Sequence, residues 1–239
     1  MSSGIYIATA GAVAQSQALD ATANNIANAS TAGFHADRVS FREMLGTARS
    51  ADVAMVSPST AHGVDGERGA MLQTENPLDL AIEGDGVFGV ETPEGTRYTR
   101  AGNFQLDSNR ELVTQDGFKV RGEGGAPISV PLDANLIAVT PDGNISADGH
   151  AIGRLELATF SPAQLKREGG SLFSATGAPS ATAERPKVRS GMLESSNVNI
   201  VRGVVDLVKV SRTYESLMKM IQGYHDIESR AARDLGGPK

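Results

Sequence analysis

The sequence predicts an α+β protein, with a long helix at each end of the chain and a central, mainly antiparallel β domain. Three observations carry this: an Ala-rich, Pro-free stretch near the N-terminus with apolar residues spaced three and four apart, a heptad repeat near the C-terminus, and a period of two between them. The segments are an N-terminal helix at 1–30, a connector at 31–74, the β domain at 75–185, a short connector at 186–196 and a C-terminal helix at 197–239.

In the first helix Ile5, Ala8, Ala12, Leu19 and Ile26 fall on one narrow seam of small and apolar side chains, interrupted by Gln15 and Thr22. Asp20 is the only charge before Asp37, so the helix offers little surface for water and calls for several protein neighbours. The run Ser30-Thr31-Ala32-Gly33 then ends it. Beyond it, residues 48 to 73 show weak periodicity with several Gly, Ser and Thr, as expected of a connector or exposed loop.

Period-two alternation follows: Leu78, Leu80 and Ile82, then Phe104 with Leu106, Phe118 with Val120, and Leu155 with Leu157. Turn signals separate these short strands, notably Asp107-Ser108-Asn109, Asp116-Gly117, Pro141-Asp142-Gly143-Asn144 and Asp148-Gly149, which favours antiparallel pairing. Residues 174 to 183 are small and of low complexity, and read as a loop.

The C-terminal helix is expected from about Asn197 to Ala232, roughly 50 Å at ~1.5 Å per residue. Ile200, Leu207, Tyr214 and Ile221 repeat every seven residues, with Val210, Leu217 and Tyr224 between them. A second row, Val204, Val208 and Met218, widens the apolar face beyond what one partner helix needs. Glu215 and Lys219 are placed to pair at i,i+4.

Composition removes several functions. The net charge of −6 argues against binding a phosphate backbone, so no nucleic-acid partner is expected. With no cysteine there is no disulfide, thiol nucleophile or thiolate metal site. The first basic residue is Arg38, so the N-terminus lacks the basic region of a secretory signal, and no run is long and apolar enough for membrane insertion.

Candidate catalytic and ligand motifs lack their context. Gly84-Asp85-Gly86-Val87-Phe88-Gly89 has dinucleotide-loop spacing, but Val87 to Val90 reads as strand where that motif needs a helix N-terminus. Asp142, Asn144, Ser146 and Asp148 alternate like calcium ligands, yet Ala147 and Gly153 occupy the positions where an EF-hand needs Gly and Glu. Ser216 and Lys219 form an SxxK pair without the companion KTG. His35, His62, His150 and His225 show no metal-binding spacing. No catalytic residue, cofactor or metal is expected. An SxxK serine acyl enzyme and a secreted coiled-coil adhesin stand as the competing readings.

Four segments carry a resemblance. The run from Asn24 to Phe34 (NNIANASTAGF) resembles the N-terminal signature of the flagellar axial proteins, the family of rod and hook subunits. It is followed, in that family's order, by Asn76 to Ile82, Tyr98 to Phe104 and Ser190 to Asn199. Within the family, the short length, the Ile5-Tyr6 opening and the Pro127 to Pro131 segment look most like a proximal-rod subunit, with distal-rod and hook-type subunits as competitors. His35 departs from the Lys or Arg that the family often has there, a change expected to affect the surface of the turn.

The resemblance implies terminal helices packed as an inner coiled-coil layer, an outer β domain, and helical stacking of copies with other rod proteins into a hollow shaft for motility. It implies export by the flagellar type III apparatus without a cleaved signal, and a place in the basal-body rod in the periplasm. The implied assembly interface comprises Ile5, Ala8, Ala12, Leu19, Asn24, Asn25, Ile26, Asn28, Gly33 and Phe34 on the N-terminal side. On the C-terminal side it comprises Ile200, Leu207, Val210, Tyr214, Leu217, Ile221 and Tyr224. Ala8 and Ala12 would let helices approach closely, and Asn24, Asn25 and Asn28 could satisfy backbone groups where the helix ends.

Overall fold

The 3,4-spaced apolar residues at the chain ends form two helices, α1 (Ser3–Ala27) and α2 (Ile200–Leu235), in a computed structural model that describes residues 3–44, 57–134, 136–180 and 185–235. The chain divides into two units. The first comprises Met1–Ile26, Asp37–His62 and Asn199–Lys239, and the second Ala27–Ala36 and Gly63–Val198.

In the first unit α1 and α2 lie side by side in opposite directions, and glycines mark the contacts. A methyl group on Gly4 would come within 2.8 Å of the Tyr224 hydroxyl, one on Gly11 within 3.4 Å of Leu217, and one on Gly203 within 2.9 Å of Ile26. Seven residues up α1 correspond to seven down α2, the alignment that a heptad pattern produces. Ala8, Ala12 and Ala14 are buried. Asn25 ends α1 by pairing with the backbone of Asp37: its Oδ1 accepts from the Asp37 N–H (2.8 Å) and its Nδ2 donates to the Asp37 carbonyl (2.9 Å). At the start of α2, Asn199 Oδ1 accepts from the Arg202 N–H (3.0 Å), an N-cap. Strands β1 (Asp37–Met44) and β2 (Ser57–Val64) form a two-stranded ribbon.

The second unit is antiparallel β. Next along the chain come β3 (Met71–Gln73), β4 (Leu80–Glu83), β5 (Val87–Thr92), β6 (Gly95–Thr99), β7 (Gln105–Leu106), β8 (Leu112–Val113) and β9 (Lys119–Val120). The meander β10 (Ile137–Val139), β11 (Asn144–Ala147) and β12 (His150–Arg154) follows, then β13 (Leu157–Ala158), β14 (Leu165–Arg167) and β15 (Leu172–Ala175). The main sheet has the order β14-β15-β6-β5-β9-β8-β7, with β13 also on β5. Two short ribbons close the unit: β16 (Lys187–Ser190) pairs with β4, and β17 (Met192–Glu194) pairs with β3.

Period-two side chains build the core as the sequence suggests. Leu80, Ile82, Phe88, Val90, Phe104, Leu112, Val120 and Leu155 share one cluster, in which Phe88 and Phe104 meet edge to face at 5.1 Å. Val87, on the other face of β5, packs instead with Ala158 and Phe160. The Asp148-Gly149 signal is a two-residue hairpin turn between β11 and β12, with φ of 49° and 84°. This accounts for the alternating oxygens at 142–148.

Several segments differ from expectation. The connectors at 31–74 and 186–196 carry β1, β2, β3, β16 and β17, of which the strands of three and four residues are too short for the alternation that flags a half-buried sheet. Ser174 and Ala175 belong to β15, and the expected loops at 48–56 and 181–183 lie outside the described residues. Glu215 and Lys219 make no ion pair; among the described residues α2 pairs Asp206 with Arg202 (3.9 Å) and Lys209 (3.6 Å).

Candidate assembly surfaces

The four motif segments, except for residues 24–26 and Asn199, lie in the second unit. Glu194, at the end of β17 and 2% exposed, is the centre. Its Oε2 accepts from Arg100 Nε (2.8 Å) and Nη2 (2.7 Å), and its Oε1 from His35 Nε2 (3.0 Å) and the Gly69 N–H (3.0 Å). Arg100 spends its other donors on the carbonyls of Ile82, Gly84 and Gly86, so a buried guanidinium is fully partnered. Burial works to raise the Glu194 pKa, but His35, Arg100 and the Gly69 N–H together hold it below the usual carboxylate value.

Backbone contacts complete the joint. Gly33 (φ 66°) donates its N–H to the Glu194 carbonyl (2.8 Å), and a side chain there would strike the backbone of Arg100 and Ala101. Asn197 Oδ1 accepts from the Ala36 N–H (2.7 Å), while its Nδ2 donates to the Glu67 carbonyl (2.8 Å). Gly102 lies flat on the Leu80 carbonyl, leaving no room for a Cβ. Phe34, fully buried, has the Arg167 guanidinium 4.3 Å from its ring centre, and Arg167 also donates to the His35 carbonyl. The segments that leave this unit at residues 27 and 198 are thus fastened to each other and to the sheet.

In the first unit the heptad residues Leu207, Val210, Tyr214, Leu217, Ile221 and Tyr224 are all half-buried, on the side of α2 that carries Gly203. On the far side of α2 Val201 (76% exposed), Val204, Val205 and Val208 form an open apolar stripe. α1 shows the same arrangement: Tyr6 (58%) and Val13 (54%) stand one heptad apart, away from the glycines that face α2.

Comparison with known proteins matches this layout of two chain ends and a β domain. Residues 5–35 match the model for flagella basal body rod proteins, 81–147 the flagellar hook protein FlgE/F/G D1 domain, and 189–234 the flagellar basal body rod FlgEFG protein C-terminal region. The chain is 34% identical over 243 residues to the flagellar basal-body rod protein FlgF of Rhizobium meliloti (strain 1021), covering 100% of both chains. It is 34% identical over 247 residues to FlgF of Escherichia coli (strain K12), with 97% of each covered. Against FlgG of Bacillus subtilis (strain 168) it is 33% identical over 231 residues, covering 85% of this chain and 88% of the relative. The chain belongs to the flagellar basal-body rod protein family.

As a flagellar rod protein it is a structural subunit of the basal-body rod, assembling with other rod proteins, and its family is structural rather than enzymatic. Of the rod-assembly residues expected from sequence, Ala8 and Ala12 are buried, while Ile5, Leu19, Asn25, Ile26 and Asn28 are half-buried and Asn24 is exposed. Ile200, expected on the heptad seam, is 53% exposed. Gly33 and Phe34, expected at the assembly interface, are interior to the β unit. His35 is also buried, with Nδ1 2.9 Å from the Asp65 carbonyl, so the departure there touches the core of the turn rather than its surface.

Sequence reasoning missed the Arg100 and Glu194 joint. A lone Arg among the small residues of Thr99 to Gly102, and a lone acid closing Gly191 to Glu194, are the signals that could have found it. The discounted motifs stay unsupported by local geometry. β5 begins at Val87, where a dinucleotide loop would need a helix, and Ser216 and Lys219 are exposed on α2. Among the described residues, no cluster of three or more His, Asp or Glu could hold a metal, and no helix is long and apolar enough to cross a membrane.

Proposed function

We propose that this chain is a proximal-rod subunit whose α1 and α2 pack against neighbouring subunits as a coiled-coil inner layer of the shaft, with copies stacking helically beside other rod proteins. The observation that carries the reading is the pair of open apolar stripes, Tyr6 with Val13 and Val201 with Val208, each on the side of its helix away from the intramolecular contact. Apolar rows on opposite faces of one helix have no use in an isolated hairpin, and burying each further side chain is worth ~1.5–3 kcal/mol. The Ile5-Tyr6 opening and the 127–131 segment support the proximal rather than the distal position, while FlgF and FlgG relatives match along nearly the whole chain at similar identity.

Export through the flagellar type III apparatus and assembly in the periplasm belong to the same reading. A chain whose end helices form only a marginal pair until neighbours cover their open faces is suited to completing the packing of its ends at the growing structure. Electron microscopy of purified basal bodies carrying a labelled copy tests it. Density at the proximal end of the rod is expected; label confined to the distal rod or the hook would sink the proximal assignment, and label outside the axial structure would sink the whole reading.

A further inference from the structure

The far sides of the two helices differ in their second halves. At ~100° per residue, Asp20 continues the Tyr6 and Val13 row of α1, one heptad further on. There the apolar row gives way to a notch of 210 Å³ lined by Gln17, Asp20, Ala21, Asn24 and Asp37. Gln17, one of its lining residues, has a buried Oε1 with no hydrogen-bond partner. On α2 the valine stripe gives way instead to exposed charged side chains: Arg212 stands one heptad beyond Val205 and Lys219 one heptad beyond Arg212, with Glu215 beside them one heptad beyond Val208.

We infer that the notch receives Arg212 from α2 of a second copy of this chain, the helices running parallel with Val205 against Val13 and Arg212 against Asp20. This rests on the reading of the chain as a rod subunit and goes beyond it by fixing partner, direction and register. Charge complementarity selects the direction. With Val13 against Val205, the parallel register sets Asp20 opposite Arg212 and leaves Tyr6 opposite Val198, just before α2 begins, whereas the antiparallel register sets Tyr6 opposite Arg212 and Asp20 opposite Val198. A guanidinium presents several donors in a planar fork, which suits a notch lined by the Asp20 carboxylate and by Gln17. The contact uses different surfaces on the two copies, so it passes from copy to copy around or along the shaft instead of closing into a two-fold dimer.

The chain has no cysteine, so engineered pairs report cleanly. Val13→Cys with Val205→Cys, oxidised in purified basal bodies, should give disulfide-linked multimers of this chain. An incorporated double variant that gives no link overturns the register, and a link to a different rod protein overturns the second copy as occupant. Independently, Asp20→Arg and Arg212→Asp should each lose rod incorporation and swimming, and together restore both, with circular dichroism confirming that all variants fold. Single variants that assemble normally, or a double variant no better than the singles, overturn the ion pair. If the unaltered chain is labelled and found in the rod, these failures leave the rod reading intact; its absence from the rod defeats that reading itself.

Discussion

Glu194 and Arg100 meet through a two-toothed fork, with Nε and Nη2 both within 2.8 Å of one carboxylate oxygen, at a site where both side chains are buried. His35 and the Gly69 N–H take the other oxygen, so the pair is enclosed and fully hydrogen-bonded. Removing one partner of such a pair leaves a charge that water cannot reach. Arg100→Leu should therefore cost the β unit about 3–5 kcal/mol. That is a large part of the ~5–15 kcal/mol by which domains are stable, and urea unfolding of the full-length chain would measure it. A loss under 1 kcal/mol would mean that the joint does not hold the unit together.

The same pair sets an acid limit. A carboxylate held below its unfolded pKa contributes stability above that unfolded value, about 4.3 for Glu, and loses the contribution as pH falls through the lower folded value. The unfolding midpoint should be insensitive to Glu194 ionisation from pH 7 down to about 5 and then drop. Glu194→Gln, already weaker at neutral pH, should show a shallower acid decline. Glu83, held low by Arg189, and Glu168, held low first by Ser174, are exposed and should contribute little to this curve. Parallel acid curves for the two proteins would remove Glu194 from the account.

The helical seam was legible because heptads announce themselves over short stretches: Leu207, Tyr214, Leu217 and Ile221 needed only their own spacing. Turns were legible for the same local reason, as at Asp148-Gly149. The joint was not, since His35, Arg100 and Glu194 come together across 94 to 159 residues and no local period relates them. Strands of three or four residues such as β3 and β17 show too few positions for alternation, and Leu72 in β3 is exposed although its neighbours pair. Gly4, Gly11 and Gly203 were also passed over, because a glycine in a helix looks like a weakness until the side chain opposite it is seen.

Proteolysis should expose the division into units. Isolated helices are marginal, and α1 and α2 each carry an open apolar face, so in dilute solution both are expected to be trimmed. The β unit should resist from about residue 63 to 198, a wider core than 75–185, because β3 and β17 pair and Glu194 anchors both ends. The segment 27–36 should copurify with it when Gly33 and Asn197 hold their contacts. Mass spectrometry of the protected fragments decides; cleavage inside 190–198 as fast as in α2 would show that the joint opens freely.

The two faces of α2 should fail in different ways. Leu217 faces Gly11 within the chain, whereas Val208 stands on the far stripe, 46% exposed. Leu217→Ala removes packing from the intramolecular pair and should weaken it by up to the ~2–5 kcal/mol of a Leu truncation, towards the lower end because the site is only half-buried. Leu217→Asp adds a charge to that contact and should abolish incorporation more completely. Val208→Asp places its charge in water in the free chain, so helicity and melting of the monomer should match the wild type. In the rod the same charge would have to enter an apolar contact, so incorporation and swimming should still be lost. The β unit, remote in sequence from all three changes, should melt unchanged. Circular dichroism of the monomers, compared with rod incorporation of the same variants, separates the two failures. Normal rods from Val208→Asp would place the far stripe outside any packed interface, and normal rods from Leu217→Asp would do the same for the seam.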